Sequence, residues 1–239
     1  MANFPFQRLQ ADLAALIARS PACQRLPSEP ELARQLGVSR ATLREAMRSF
    51  ETQGLIRRRQ GSGTFVVGKM QVLDSGLEVL ESLESVAKRM GLEVTFSDLV
   101  LETLPADEEL RQALKVPAGF SLTRIRRVIR AAGRPVAYLV DTLPEEVLKV
   151  NDLPEEFNGS ILDFLIGRGD TLANSRANVS AIGATAEVAK ALEIQRGDVL
   201  LHFYSQLFDT GGRVVDYSLS YFIPGYFHFH IVRHIGAAA

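Results

Sequence analysis

Arg40, Thr42 and Arg44, in the run GVSRATLRE, are the side chains of this chain best suited to chemistry, and that chemistry is recognition rather than bond making. A guanidinium presents paired donors that match the acceptor edge of guanine or a phosphate, and a neighbouring hydroxyl can reach the phosphate backbone. Ser39 stands just ahead at a capping position, where unbonded amides and the positive end of the helix dipole also favour a phosphate. Leu43, Ala46, Met47 and Phe50 recur at three- and four-residue spacing. They form the inward stripe of the same helix and leave Arg40, Thr42 and Arg44 facing outward at its start.

The elements that must position this helix can be read on both sides of it. Ser28 and Glu31 read as a capping box that opens a short helix over residues 29–36, and Gly37 ends it. Two helices joined by so short a turn cross steeply. After Gly54, residues 55–59 lead into Gln60-Gly61-Ser62-Gly63 and residues 64–67 return, which predicts a hairpin flanked by Arg57, Arg58 and Arg59. Its glycines let the backbone approach a phosphate or a minor groove. GSGT lacks the lysine of a phosphate-binding nucleotide loop, which excludes that use. Residues 26–67 are therefore predicted to form a winged helix-turn-helix that grips double-stranded DNA. The alternative keeps the helices but gives the arginines a solvated or protein-contacting face. Charge favours DNA, because residues 1–67 carry 10 Lys and Arg against 5 Asp and Glu, whereas residues 68–239 carry 17 against 23. The whole-chain net charge of −1 conceals this division.

As a combined pattern, LPSE-x-ELA-x-x-x-GVSR-x-T-x-RE followed by GLI-x-x-x-x-GSGTFV resembles the GntR family of bacterial transcription regulators. The resemblance implies that Ser39, Arg40, Thr42 and Arg44 are recognition-helix contacts and that Gln60, Gly61, Gly63 and Thr64 are wing contacts. Pro30 departs from the family pattern, which has arginine there; Arg34, one helical turn later, is the substitute contact.

The length of 239 residues and 46% hydrophobic content suit one small and one full-sized domain. No stretch is apolar for long enough to span a membrane, and Arg8 and Asp12 interrupt the amphipathic helix predicted over residues 4–19, which argues against a signal peptide. Cys23 is the single cysteine, so an internal disulfide is excluded and a cytoplasmic setting is expected. Domain boundaries are expected at 1–67 for the DNA-binding head, 68–75 for a linker and 76–239 for a second domain that also dimerises. In that domain residues 76–90 read as an amphipathic helix. Strands follow near 94–102, 119–131, 134–143, 172–183, 198–209, 213–223 and 226–233, with helices near 105–115, 159–167 and 184–193. Tight turns at Ala132-Gly133 and Gly211-Gly212 predict a mostly antiparallel sheet with helices on one face, an α+β architecture.

Alternation places Ile125, Arg127 and Ile129 on one strand face. A nearly dry arginine needs an anionic partner, either a protein carboxylate or a bound ligand. The runs RIRRVIRAAGRPVAYLVDTLP, GSILDFL and GGRVVDYSLSYFIPGYFHF resemble the UTRA effector domain of the HutC branch of GntR regulators, whose fold is like that of chorismate lyase. The resemblance spans most of residues 92–233. It implies that Arg127 holds an effector phosphate or carboxylate, that Ser160 sits in the same pocket, and that Asp216 accepts bonds from ligand hydroxyls. Ser160 could equally cap its helix, and Asp216 could neutralise Arg127. Tyr138, Tyr217 and Tyr221 are further candidate lining residues. Ile129 and Leu139 replace a second arginine and a glutamate of the family, so a carboxylate or a more apolar ligand fits as well as a sugar phosphate.

His228, His230 and His234 invite comparison with zinc ligands, but no carboxylate or cysteine joins them in sequence, so no metal and no cofactor is assigned. The combined expectation is a transcription regulator, a repressor, that binds a palindromic operator as a homodimer and answers to a small anionic effector. The alternative is a metabolic enzyme or small-molecule binding protein with a lyase-like domain and an accessory DNA-tethering head. Nothing in the sequence resembles a nucleophile and its base, and fold alone does not establish chemistry.

Overall fold

The structure is a computed structural model that describes residues 5–21, 24–52, 54–59, 62–67, 73–155, 157 and 159–232. The chain divides into two compact units, 1–72 and 73–239. In the first, apolar side chains one turn apart give each helix its inward stripe. Helix α1 (Pro5–Arg19) buries Leu9, Leu13 and Ile17, α2 (Glu29–Gln35) buries Leu32 and Ala33, and α3 (Arg40–Thr52) buries Leu43, Ala46, Met47 and Phe50. These side chains share one core with Leu26, Ile56 and Val66. Gly37, at φ 64°, makes the turn between α2 and α3. The expected capping box is absent: Ser28 holds the N-cap position of α2 without a side-chain capping bond. Pro30, in the first turn, has no amide to offer it.

Strand β1 (Ile56–Arg59) pairs antiparallel with β2 (Gly63–Val66), with Arg57 opposite Phe65 and Arg58 opposite Thr64. The stretch before α2 adds a third line to this wing. The Leu26 amide donates to the Thr64 carbonyl at 2.8 Å, the Val66 amide donates to the Gln24 carbonyl at 2.8 Å, and Arg25 bridges Phe65.

The second unit opens with β3 (Leu73–Gly76), so Leu73, Asp74 and Ser75 belong to a strand rather than to the linker expected over residues 68–75. The helix expected over 76–90 is confined to α4 (Leu83–Arg89), whose start is fixed by Ser82 accepting from the Ser85 amide at 3.0 Å. Leu77 and Leu80, which mimic a helical stripe, stand exposed outside it. There follow β4 (Val94–Pro105), α5 (Glu108–Leu114), β5 (Ser121–Ala131), β6 (Arg134–Pro144), α6 (Ile161–Arg168), β7 (Leu172–Gly183), α7 (Ala186–Ala191), β8 (Val199–Asp209), β9 (Val214–Phe222) and β10 (Phe227–His230). Six strands form one sheet of order β4-β5-β6-β9-β8-β7 in which every neighbour is antiparallel. β10 pairs in parallel with β3, a contact between distant stretches that alternation alone cannot announce.

Helices cover both faces of the sheet, not one. Ile161 and Leu165 of α6 pack with Ile125 and Leu207, whereas Leu110, Ala113 and Leu114 of α5 pack with Leu122, Val214 and Tyr217. The cause is visible in β6, where consecutive residues from Pro135 to Leu139 and from Asp141 to Pro144 are buried, so neither face can be left to water. Two register shifts decide which side chains share a face. One falls between Ile129 and Arg130 against β6, and the other between Leu207 and Phe208 against β9.

Candidate nucleic-acid interface and ligand cavity

In the first unit Ser39 caps α3, its hydroxyl accepting from the Thr42 amide at 3.1 Å and lying 2.8 Å from the Thr42 hydroxyl. Arg40, Thr42 and Arg44 follow on the exposed side, and Arg34 of α2 is exposed as well. The Arg44 side chain is 57% exposed and its Nε donates to Glu29 Oε2 at 2.6 Å across from α2. Such a surface pair contributes little to folding and is readily exchanged for a phosphate or a guanine edge. Arg58 turns back from the wing, donating to the Arg44 carbonyl at 3.3 Å, while Arg57 points to solvent.

The wing differs from expectation at one residue. Thr64 is 7% exposed, so its side chain belongs to the packing of the wing rather than to a contact surface. Gly63 is at φ 109°, and a Cβ added there would lie 2.7 Å from Arg25 Nε. Arg25, which sequence reasoning passed over, thus lays an exposed guanidinium across the wing backbone. Only its pairing across β2, invisible without the fold, places it there. The expected contacts Gln60 and Gly61 lie outside the described residues.

The second unit holds a cavity of about 920 Å³ between the sheet and the layer formed by α4, α6 and the segment after β3. Arg127, Asp141, Asp216 and Ser160 line it and are all buried, and Glu84 of α4 joins them. Arg127 Nη1 donates to Asp141 Oδ2, so the arginine that stood alone on its strand face is in an ion pair with a carboxylate that sequence reasoning missed. Asp141 could have been found from strand pairing. Arg127 stands opposite Leu139, and Asp141 lies two residues further along the same face.

Ser160 caps α6, accepting from the Asp163 amide at 3.0 Å, while its residue also lines the cavity. Asp163 in turn accepts from Ser82 at 2.6 Å and Ser85 at 3.2 Å, which ties α4 to α6. Gly159, at φ 99°, lets this corner close, since a Cβ would come within 2.8 Å of the Phe96 ring and 3.1 Å of Glu84 Oε1. Burial pushes the Asp216 carboxyl well above its ordinary range, and the Asp141 charge adds to the shift against the opposing pull of Arg127. Burial also raises Glu84, partly offset by Arg127. Asp216 Oδ1, Glu84 Oε1 and Arg127 Nε are buried without a hydrogen-bond partner among the described residues.

Tyr138, Tyr217 and Tyr221 are not in this lining. They stand on the opposite face of the sheet, where the Tyr138 hydroxyl donates to Glu187 at 2.9 Å and the Tyr217 hydroxyl donates to Glu109 at 3.0 Å. Tyr221 stacks beside Tyr138 with ring centroids 6.0 Å apart. Counting back from the Ala132-Gly133 turn without a bulge would set Arg127 opposite Tyr138; the register shift puts Leu139 there instead. On β9 the cavity face carries Asp216, Ser218 and Ser220, so alternation turns Tyr217 and Tyr221 away. Val214 is off the Asp216 face, because the bulge at Val215 of β9 sends it into the core with Tyr217. His228 and His230, exposed on β10, each place Nδ1 near Asp74 Oδ1, at 3.0 and 3.1 Å. The parallel β3 thus supplies the carboxylate that the sequence lacked nearby, and His234 lies outside the described residues.

An outward basic helix start on one unit and a cavity lined by buried charged groups on the other define a ligand-responsive DNA-binding regulator. Residues 6–66 match the bacterial regulatory proteins of the gntR family and residues 89–228 match the UTRA domain. The chain belongs to the GntR family, in its UTRA-bearing, HutC-like branch. It is 33% identical over 179 residues to the transcriptional repressor NagR of Bacillus subtilis, covering 74% of this chain and 72% of that protein. It is 29% identical over 181 residues to the histidine utilization repressor of Pseudomonas putida, covering 76% and 72%. The crystal structure of PhnF from Mycobacterium smegmatis shares the fold, with TM-score 0.65 at 23% identity over 95% of this chain and 100% of that one. The chain is accordingly a transcription regulator and not a metabolic enzyme with a DNA tether.

Proposed function

We propose that this regulator is a repressor that binds a palindromic operator as a homodimer, with the start of α3 in the major groove and the wing against the backbone or minor groove. A small molecule in the second unit's cavity, contacting Arg127, Ser160 and Asp216, then releases or repositions it. The observation that carries this reading is the start of α3. Arg40, Thr42 and Arg44 stand outward from a helix whose other stripe is used up in the core. Repression is supported by the names of two relatives, NagR and the histidine utilization repressor.

A single small reader gives limited affinity, and two-fold proteins match two-fold sites. β7 supports a homodimer, since it ends the sheet with one neighbour and leaves Val179 48% exposed. Among the described residues no helix is long and apolar enough to cross a membrane, and a DNA reader works where the DNA is, in the cytoplasm. The effector shifts operator affinity only as far as it prefers one arrangement of the chain over another. The anionic effector expected from a solitary Arg127 would have to draw the guanidinium away from Asp141.

A gel-shift assay on the DNA upstream of the protein's own coding region, with and without the small-molecule fraction of a cell extract, tests this. Salt-sensitive retardation relieved by that fraction is the expected result. Folded, ligand-stripped protein that retards no upstream fragment overturns the reading.

A further inference from the structure

The geometry points to an effector that carries a protonated amine on an apolar body, held by Asp216 and Glu84, rather than an anion held by Arg127. This rests on the cavity being the effector site. Six carboxylates face the cavity and, among the described residues, Arg127 is the one cation that does. Three of the six are answered at the rim: Glu81 pairs with Arg89 at 2.5 Å, Asp170 pairs with Arg168 at 2.7 Å, and Glu78 accepts from the Val232 amide. Glu84, Asp141 and Asp216 remain around a single guanidinium, and Asp141 already occupies it.

The unpartnered atoms show what is missing. Asp216 is 6% exposed and lines the cavity; its carboxyl meets the Thr142 amide and the Asp141 carboxyl, yet among the described residues Oδ1 has no partner, and neither has the buried Glu84 Oε1. Buried acceptors of this kind call for donors, and a carboxylate pair calls for donors that bring positive charge. An ammonium has three donors and no acceptor, so it meets both needs at once. A phosphate or carboxylate brings only acceptors and a third or fourth negative charge. The remainder of the wall, with Leu139, Phe203, Leu207 and Phe222, suits an alkyl or aromatic body.

Proton linkage follows from the same groups. Asp216 faces Asp141 and Arg127, while Glu84 faces Arg127, Asp141 and Asp163, and burial raises both carboxyls. Both carboxyls therefore give up their protons less readily than ordinary ones, and a cation binds their ionised form. Amine affinity should rise with pH as Asp216 and Glu84 lose their protons.

Benzylamine, benzyl alcohol and benzoate share one body and differ in charge; with inorganic phosphate they make four probes for calorimetric titration of the full-length chain at constant ionic strength. Benzylamine is expected to bind about tenfold or more tightly than benzyl alcohol, with benzoate and phosphate weaker still. Asp216→Asn should abolish the preference, and Glu84→Gln should reduce it, which provides a second variant should the first fail to fold. Benzoate or phosphate binding as tightly as benzylamine, binding of no probe, or a preference that persists in folded variants of both carboxylates overturns the inference. Retardation of the operator fragment by the same samples separates the two failures. A chain that binds DNA but ignores amines sinks the inference alone, whereas one that binds no DNA sinks the regulator reading.

Discussion

The two units hold their arginines in opposite ways. In the head Arg44 is 57% exposed and leans on one carboxylate, so the pair is weak, screened and exchangeable. In the sensor the Arg127 side chain is 5% exposed and is fastened to Asp141, so every change there is felt through desolvation. An exposed charge can be recruited by a partner at small cost to the fold. A buried one is first a condition of folding and only then a means of recognition.

Breaking the buried pair gives the largest expected effect. Arg127→Met should destabilise the second unit by about 3–5 kcal/mol at neutral pH, because it leaves Asp141, Asp216 and Glu84 without a cation. Denaturant unfolding checks this, and the penalty should shrink as pH falls and Asp216 and Glu84 take up protons. The sign follows from linkage. A carboxyl whose folded value is raised, as for Asp216 and Glu84, binds protons more readily folded than unfolded. Its cost is absent below the ordinary carboxylate range and grows as pH climbs toward the raised value. Adding Asp216→Asn to the Arg127 variant should recover part of the loss. A pH-independent penalty would mean that the three carboxyls do not share one field.

Next in size, Arg44→Ala should weaken operator binding by about 1–3 kcal/mol, roughly ten- to a hundredfold, in a fluorescence anisotropy titration. Folding of the head and calorimetric binding of cavity ligands should stay unchanged. Loss of folding in place of loss of DNA affinity would erase the contrast with Arg127. Gly63→Ala should cost the head about 1 kcal/mol or more, since it places a side chain at φ 109° against Arg25. A melting curve of the head reads that loss. Tyr138→Phe, the smallest, should cost under about 1.5 kcal/mol by removing the bond to Glu187, with ligand affinity unchanged. Altered ligand affinity there would return Tyr138 to the cavity lining.

The same contrast explains what the sequence disclosed. The inward stripe Leu43, Ala46, Met47 and Phe50 fixed the outward position of Arg40, Thr42 and Arg44, because a helix keeps its own phase over one turn after another. All six sheet strands were legible from alternation and turn residues, to within a few residues at their ends. Face assignment was not. It depends on a single skipped residue in the β5–β6 and β8–β9 pairs, and one skip exchanges Tyr138 for Leu139 opposite Arg127. Ser160 was legible as a cap and as a lining residue together. Asp141 and Glu84 were not legible, since each meets Arg127 through a neighbouring strand or helix rather than along its own. The linker expected over 68–75 overran Leu73, Asp74 and Ser75 for a similar reason, because β3 exists only through its partnership with β10.

That partnership sets a clock on synthesis. Leu73, the first residue of β3, pairs with Phe227, so the seam at the sensor's entrance cannot be sewn until Phe227 has left the ribosome. The head, whose core closes within residues 9–66, has all its parts far earlier. A nascent copy can thus own a finished DNA reader while the strand that anchors it to its sensor still lacks a mate.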